Sequence, residues 1–167
     1  MTVLVAYASR AGATRGVAER IAARMRDNGL DVHLDPLLGR ERVDRFQAVV
    51  LGSPIYSGEW ETEAVDFLRR NSRAMTGHPL WTYSVGWPGH GERGPADATN
   101  LSEVHATVPP RDHRFFLGAL DAADLRPLQR LTFRLRGGQY GDFRDWAAID
   151  AWTDEIARQL TASSNPR

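Results

Sequence analysis

The sequence predicts an α/β fold, a doubly wound five-stranded parallel sheet in the order 2-1-3-4-5. Three observations predict it. Short apolar runs rich in β-branched residues alternate with stretches of helical period, the pattern of a parallel sheet covered on both faces. No internal repeat or linker-like stretch divides the chain. Its 167 residues suffice for one core and are too few for two comfortable ones, so residues 1–167 are expected to form a single domain.

The elements follow in order. TVLVAYA (Thr2 to Ala8) reads as a buried parallel strand. From Thr14 the period changes, and Val17, Ala18, Ile21, Ala22 and Met25 recur at helical spacing between Arg and Glu residues. Asn28-Gly29 stops that helix, because both residues tolerate the left-handed conformation. LDVHLDPLL is a second strand, followed by the connection GRERVDR. FQAVVLGSPI (Phe46 to Ile55) is a third and the most apolar. Glu61 to Asn71 reads as a helix with Ala64, Val65 and Leu68 inward. PLWTYSVG (Pro79 to Gly86) is the fourth strand, a weaker helix spans Asn100 to Ala106, and RFFLGAL (Arg114 to Leu120) is the fifth strand. Asp145 can cap a last helix with Ile149, Trp152, Ile156 and Leu160 on one face. Residues 161–167 are expected to fray. Residues 121–144 break the alternation. Their Arg126, Arg130 and Arg134 are four apart, which suits a helix, whereas Leu131, Phe133 and Leu135 alternate, which suits a strand.

Composition narrows the function classes. With no cysteine, disulfides, thiolate metal sites and cysteine nucleophiles are excluded. The start MTVLVAYASR has no basic leader and does not read as a signal peptide, and no apolar run nears the roughly 20 residues of a spanning helix, so a cytoplasmic location is expected. A net charge of +0 gives no global field toward nucleic acid. The histidines, at 33, 78, 90, 105 and 113, lack helical metal-ligand spacing, so no metal site is expected. No G-x-S-x-G elbow of a hydrolase occurs.

Three loops could carry chemistry. Ser9, Arg10, Ala11, Gly12, Ala13 and Thr14 connect the first strand to the first helix. Unpaired N–H groups and the positive end of the helix dipole favour a phosphate there. Ser9 and Thr14 add hydroxyl donors, Gly12 lets the backbone approach, and Arg10 adds charge. The plain alternative is a capped turn. GSPIYSGEW (Gly52 to Trp60) follows the third strand and brings Ser53, Pro54, Ile55, Tyr56, Ser57, Gly58 and Trp60 to the other side of the crevice. Its backbone could meet the edges of a flat ring and its aromatics the faces. Alternatively its polar residues are turns and Trp60 packs beneath the helix. SVGWPGHGERG, from Ser84 through Val85, Gly86 and Trp87 to Gly94, follows the fourth strand, and Trp87 could cover a ring. Its G-x-G-x-x-G at Gly89, Gly91 and Gly94 starts past the strand end between Pro88 and Pro95, so it is a poor dinucleotide signal. All three loops lie at the carboxyl ends of neighbouring central strands, where ligands bind in such sheets.

This ordered set resembles flavodoxins and, more closely, the flavodoxin-like family that includes the menaquinone-dependent protoporphyrinogen oxidase. The flavodoxin phosphate loop, commonly T/S-x-T-G-x-T, here reads S-R-A-G-A-T, with Ser9, Gly12 and Thr14 matching and Ala11 lacking a hydroxyl. Arg10, GSPIYSGEW, the GAL at Gly118 to Leu120, the following RGG and the DW at Asp145-Trp146 are similar to the closer family, and the resemblance covers nearly the whole chain. It implies FMN as cofactor, with the three loops as its site. It also implies an oxidoreductase, with a quinone acceptor and a porphyrinogen-like donor as one version. Catalytic residues are not indicated. A non-enzymatic electron carrier is the alternative, although carriers of this kind are typically acidic. A cofactor-free scaffold is a third reading. Arg126, Arg130, Arg134 and Arg136 have no acid between them and suit a peripheral membrane contact or porphyrin carboxylates; a solvated face is the plainer reading.

Overall fold

The computed structural model describes residues 1–37, 42–86, 98, 100–135 and 139–163. The strands β1 (Thr2–Tyr7), β2 (Asp31–Asp35), β3 (Ala48–Tyr56), β5 (Leu80–Gly86) and β6 (Asp112–Leu117) form a parallel sheet in the order β2-β1-β3-β5-β6. The order is the predicted one, since β5 and β6 are the fourth and fifth strands of the sequence reading. A short β4 (Glu59–Trp60) pairs antiparallel with the end of β3. The hairpin turns through Ser57 (φ 52°) and Gly58 (φ 81°), and positive φ at both central residues matches the right-handed twist of the two strands. β3 runs through Tyr56, one residue past the predicted strand end at Ile55.

Helices cover both faces. On one, α1 (Ala13–Asp27) and α5 (Trp146–Ser163) pack Val17, Ile21, Met25, Ile149, Trp152 and Ile156 against Val3, Val5, Val50, Trp81 and Tyr83 of the strands. On the other, α2 (Thr62–Asn71) and α3 (Leu101–Thr107) pack Ala64, Phe67, Leu68 and Leu101 against Leu4, Val49, Leu51 and Leu80. Residues two apart on a strand share a face, so the near-continuous apolar runs feed both cores. Across the α1–α5 seam, Arg24 donates Nε and Nη2 to Asp154 at 2.7 Å each, and Arg20 Nε donates to Asp150 at 2.7 Å. Asp145 caps α5 as expected, its Oδ1 accepting the Ala148 N–H at 3.0 Å. The helix continues through Ser163, three residues into the segment expected to fray.

The fifth predicted strand is divided. β6 ends at Leu117, and after Gly118 the chain forms β7 (Ala119–Leu120), which pairs antiparallel with β8 (Gly141–Asp142). A Cβ on Gly118 would stand 3.0 Å from Val85 Cγ1, so a side chain at this bend would press on β5. Between β7 and β8 lies α4 (Pro127–Leu135), which resolves the ambiguous segment as helix. Pro127 takes the first helical position, where its missing N–H costs nothing. Among the described residues no helix is long and apolar enough to cross a membrane.

Candidate functional site

The loop from Ala8 to Gly12 joins the buried β1 to α1 at the carboxyl edge of the sheet. Gly12 takes φ 85° as the N-cap, and no side chain caps the helix. No acid stands in the first turn, so the positive end of the dipole is left unneutralised by α1 itself. Thr14 is 1% exposed, and the Ser9 Oγ is buried with no hydrogen-bond partner. A buried hydroxyl without a partner costs about 1–3 kcal/mol, a cost that an anion accepting its proton would remove.

Beside this loop opens a cavity of about 420 Å3, within the range of small-ligand pockets. One wall is Ser9, Arg10, Ala11, Ala13 and Thr14. A second is Pro54, Ile55 and Tyr56 at the end of β3, and a third is Val85 and Gly86 at the end of β5. The three predicted loops thus meet in one space. A fourth wall was not anticipated. Gly118, Ala119 and Leu120 follow β6, and Leu125, Thr132 and Phe133 arrive from the α4 segment. Part of the signal lies in the GAL at Gly118 to Leu120, but no periodicity ties Phe133 to a crevice closed by distant residues.

The remaining predicted residues are placed differently. Gly12 lines a neighbouring cavity of about 630 Å3, together with Tyr140, Asp142 and Arg144. Ser57 and Gly58 form the β3–β4 turn, outside the lining. Ser53 and Ser84 are fully buried props. Ser53 Oγ donates to Pro54 O at 3.0 Å and accepts the Glu61 N–H at 3.0 Å. Ser84 Oγ accepts Trp60 Nε1–H at 2.8 Å and lies 3.2 Å from His113 Nε2. Trp60 is 3% exposed, so it packs beneath the helix instead of facing the crevice. Thr82 Oγ1 joins this network, 2.8 Å from His113 Nδ1 and 3.2 Å from His105 Nε2. Side-chain alternation explains it, because Thr82 and Ser84 point to the α2–α3 face while Val85 reaches the cavity. Trp87, and with it Gly89, Gly91 and Gly94, lies outside the described residues.

Arg10 does not offer an uncommitted charge. Its Nε donates to Glu61 Oε2 at 2.9 Å, and its guanidinium carbon lies 5.5 Å from the Tyr56 ring centroid. Glu61 is buried and Arg10 is largely exposed. The pair ties the first loop to the start of α2 and holds the cation against the aromatic rim.

A parallel sheet wound in this order, with a helix N-terminus uncapped by any side chain after β1 and an apolar crevice at the carboxyl ends of its central strands, defines the doubly wound α/β class. The flavodoxin-domain family model matches residues 4–137, and the chain belongs to that family. Among solved structures, a flavodoxin from Streptococcus pneumoniae TIGR4 aligns with a TM-score of 0.64 at 15% identity, covering 95% of this chain and 99% of that one. The rubredoxin oxygen:oxidoreductase of Desulfovibrio gigas aligns with a TM-score of 0.67 at 16% identity over 99% of this chain, which spans 37% of that longer protein. A flavoprotein in complex with FMN from Lactobacillus acidophilus NCFM aligns with a TM-score of 0.52 at 14% identity, covering 68% of this chain and 91% of that one. No curated protein matches the chain significantly.

Proposed function

We propose that the crevice binds flavin mononucleotide and that the chain is an FMN-dependent oxidoreductase. The observation that carries this reading is the buried, unpartnered Ser9 hydroxyl beside an uncapped α1 N-terminus, opening on an apolar cavity. A phosphate supplies the acceptor that Ser9 lacks and suits the helix terminus. Thr14 and the backbone N–H groups of the first turn complete the cradle, while Pro54 to Tyr56 and Val85-Gly86 bound the ring. The redox chemistry is supplied by the flavin when bound, and the protein holds it and tunes it. The purified protein should be yellow and release FMN on denaturation. A colourless protein that also leaves the fluorescence of added FMN unchanged would refute the reading and favour a scaffold.

The finer form of the proposal gives the flavin a porphyrinogen-like donor and a lipid-dissolved quinone acceptor, in a cytoplasmic protein that meets the membrane surface. What supports it is the outer side of α4. Leu128, Leu131 and Leu135 are 73%, 56% and 77% exposed, Arg130 and Arg134 sit among them on the same helix, and Arg126 immediately precedes it. Arg136, the last of the predicted patch, lies outside the described residues. Arginines beside exposed leucines suit an anionic lipid surface. Three leucines offer far less than the roughly 1,200 Å2 that a stable dimer buries. Anaerobic turnover of protoporphyrinogen with menaquinone, and sedimentation with anionic vesicles, test the two parts. No turnover, together with fast reduction by a reductase, would leave the electron carrier.

A further inference from the structure

We propose that Phe133, carried by α4, is an aromatic wall of the flavin crevice. The inference rests on FMN as the ligand and adds a residue from outside the three loops.

The β7–β8 ladder returns the chain to the sheet edge, pairing Ala119 with Asp142 and Leu120 with Gly141. Phe143 N–H donates to Gly118 O at 3.1 Å and fastens the same base. Above that base, Arg130 Nε donates to Leu125 O at 2.8 Å, tying the helix to the turn before it. On α4 the leucines at 128, 131 and 135 are exposed, whereas the half-buried Phe133 lines the cavity, with Thr132 at its edge. Leucine offers apolar area without a π-face, so a helix that only had to cover the crevice could present any of its leucines. It presents a flat ring instead.

Phe133 shares the 420 Å3 cavity with Pro54, Ile55 and Tyr56 of the opposing strand end, so a planar ligand would lie between the two walls. The Phe133 ring meets Tyr140, with centroids 5.1 Å apart and planes tilted 45° to each other. Tyr140 itself lines the adjoining cavity, so the two rings in contact line one space each. The Tyr140 hydroxyl is buried without a partner, and its aromatic body supplies the contact with Phe133.

The test is titration of flavin-free protein with FMN, following quenching of flavin fluorescence. For the parent chain, tight binding and strong quenching are expected. Phe133→Ala and Phe133→Leu should each raise Kd by about 3–10-fold and leave the bound flavin brighter, whereas Phe133→Tyr should match the parent. FMN should also slow trypsin cleavage after Arg130 and Arg134 in the parent and not in Phe133→Leu. Phe133→Leu keeps an apolar side chain of similar size, so it reports on the ring even if the alanine variant folds poorly. Parent-like Kd and quenching in Phe133→Leu would overturn the inference and leave the FMN reading standing. Failure of the parent to bind FMN would overturn both.

Discussion

Arg10, which lines the crevice, pairs with Glu61 at the start of α2, with Nε to Oε2 at 2.9 Å. The carboxylate is buried and the guanidinium is mostly in water. The pair therefore joins the first loop to α2 and spends the charge that a phosphate would otherwise meet. Arg10→Gln should lower Tm, because it leaves a buried carboxylate without its cation. Its effect on FMN affinity should stay within about threefold, below the 10-fold or more of a lost charge-assisted hydrogen bond. Thermal melts beside FMN titrations check this. A large affinity loss that grows at low salt would make Arg10 a phosphate ligand after all.

Ser9 and Thr14 should respond differently from Arg10. The Ser9 hydroxyl is buried and unpartnered. Ser9→Ala removes that unmet donor, so the flavin-free protein should keep or gain Tm while FMN Kd rises by about 10-fold. Thr14 lies in the first turn of α1 and is 1% exposed. Thr14→Ala should also weaken FMN binding, since it removes a hydroxyl from the cradle. Calorimetric titration of each variant separates these outcomes, and unchanged affinity in both would contradict the placement of the phosphate.

How much of this was legible in the sequence follows from range. The strand order and both helix faces were readable because periodicity is local and the crossover rules are general. The β1–α1 turn at S-R-A-G-A-T was readable because it is built from consecutive residues. Ser53 and Ser84 were assigned to the site from their neighbours in sequence, yet alternation along β3 and β5 turns their side chains into internal hydrogen bonds. Phe133 was missed because its role depends on the β7–β8 base, a pairing of residues about 20 apart that no local pattern encodes. His113 likewise meets Thr82 because β5 and β6 are neighbours, and His105 reaches the same hydroxyl from α3.

Gly52 is a packing requirement disguised as a loop glycine. A Cβ there would stand 2.0 Å from Cζ of the fully buried Tyr83 ring. Gly52→Ala should therefore cost about 1–3 kcal/mol or more, since the ring has no space to retreat into. The Tyr83 hydroxyl is itself buried without a partner, and burial pushes its pKa up. Tyr83→Phe should be neutral or stabilising, because it removes an unmet polar group and keeps the ring. Urea unfolding of the two variants checks the contrast. A well-tolerated Gly52→Ala would show that Tyr83 can swing away.

The α1–α5 seam should give a pH signature at the acid end. Arg24 and then Asn28 hydrogen-bond the Asp154 carboxylate and pull its pKa from 3.8 down to about 2. A depressed carboxylate pKa means that the unfolded chain takes up the proton first, so stability falls as pH drops. The contribution of Asp154 is fully present above about pH 4 and is lost as pH falls through about 2. Asp154→Asn should abolish that part of the dependence. At neutral pH its cost should be small, a drop in Tm of about 1–3 °C, because the seam is solvent-exposed and screened. Added salt should shrink the difference further. Thermal melts of parent and variant between pH 2 and 7 measure it, with the two curves converging at the acid end. Parallel curves over the whole range would mean that Asp154 keeps the same pKa in the unfolded chain and that the bridge holds no acid-sensitive stability.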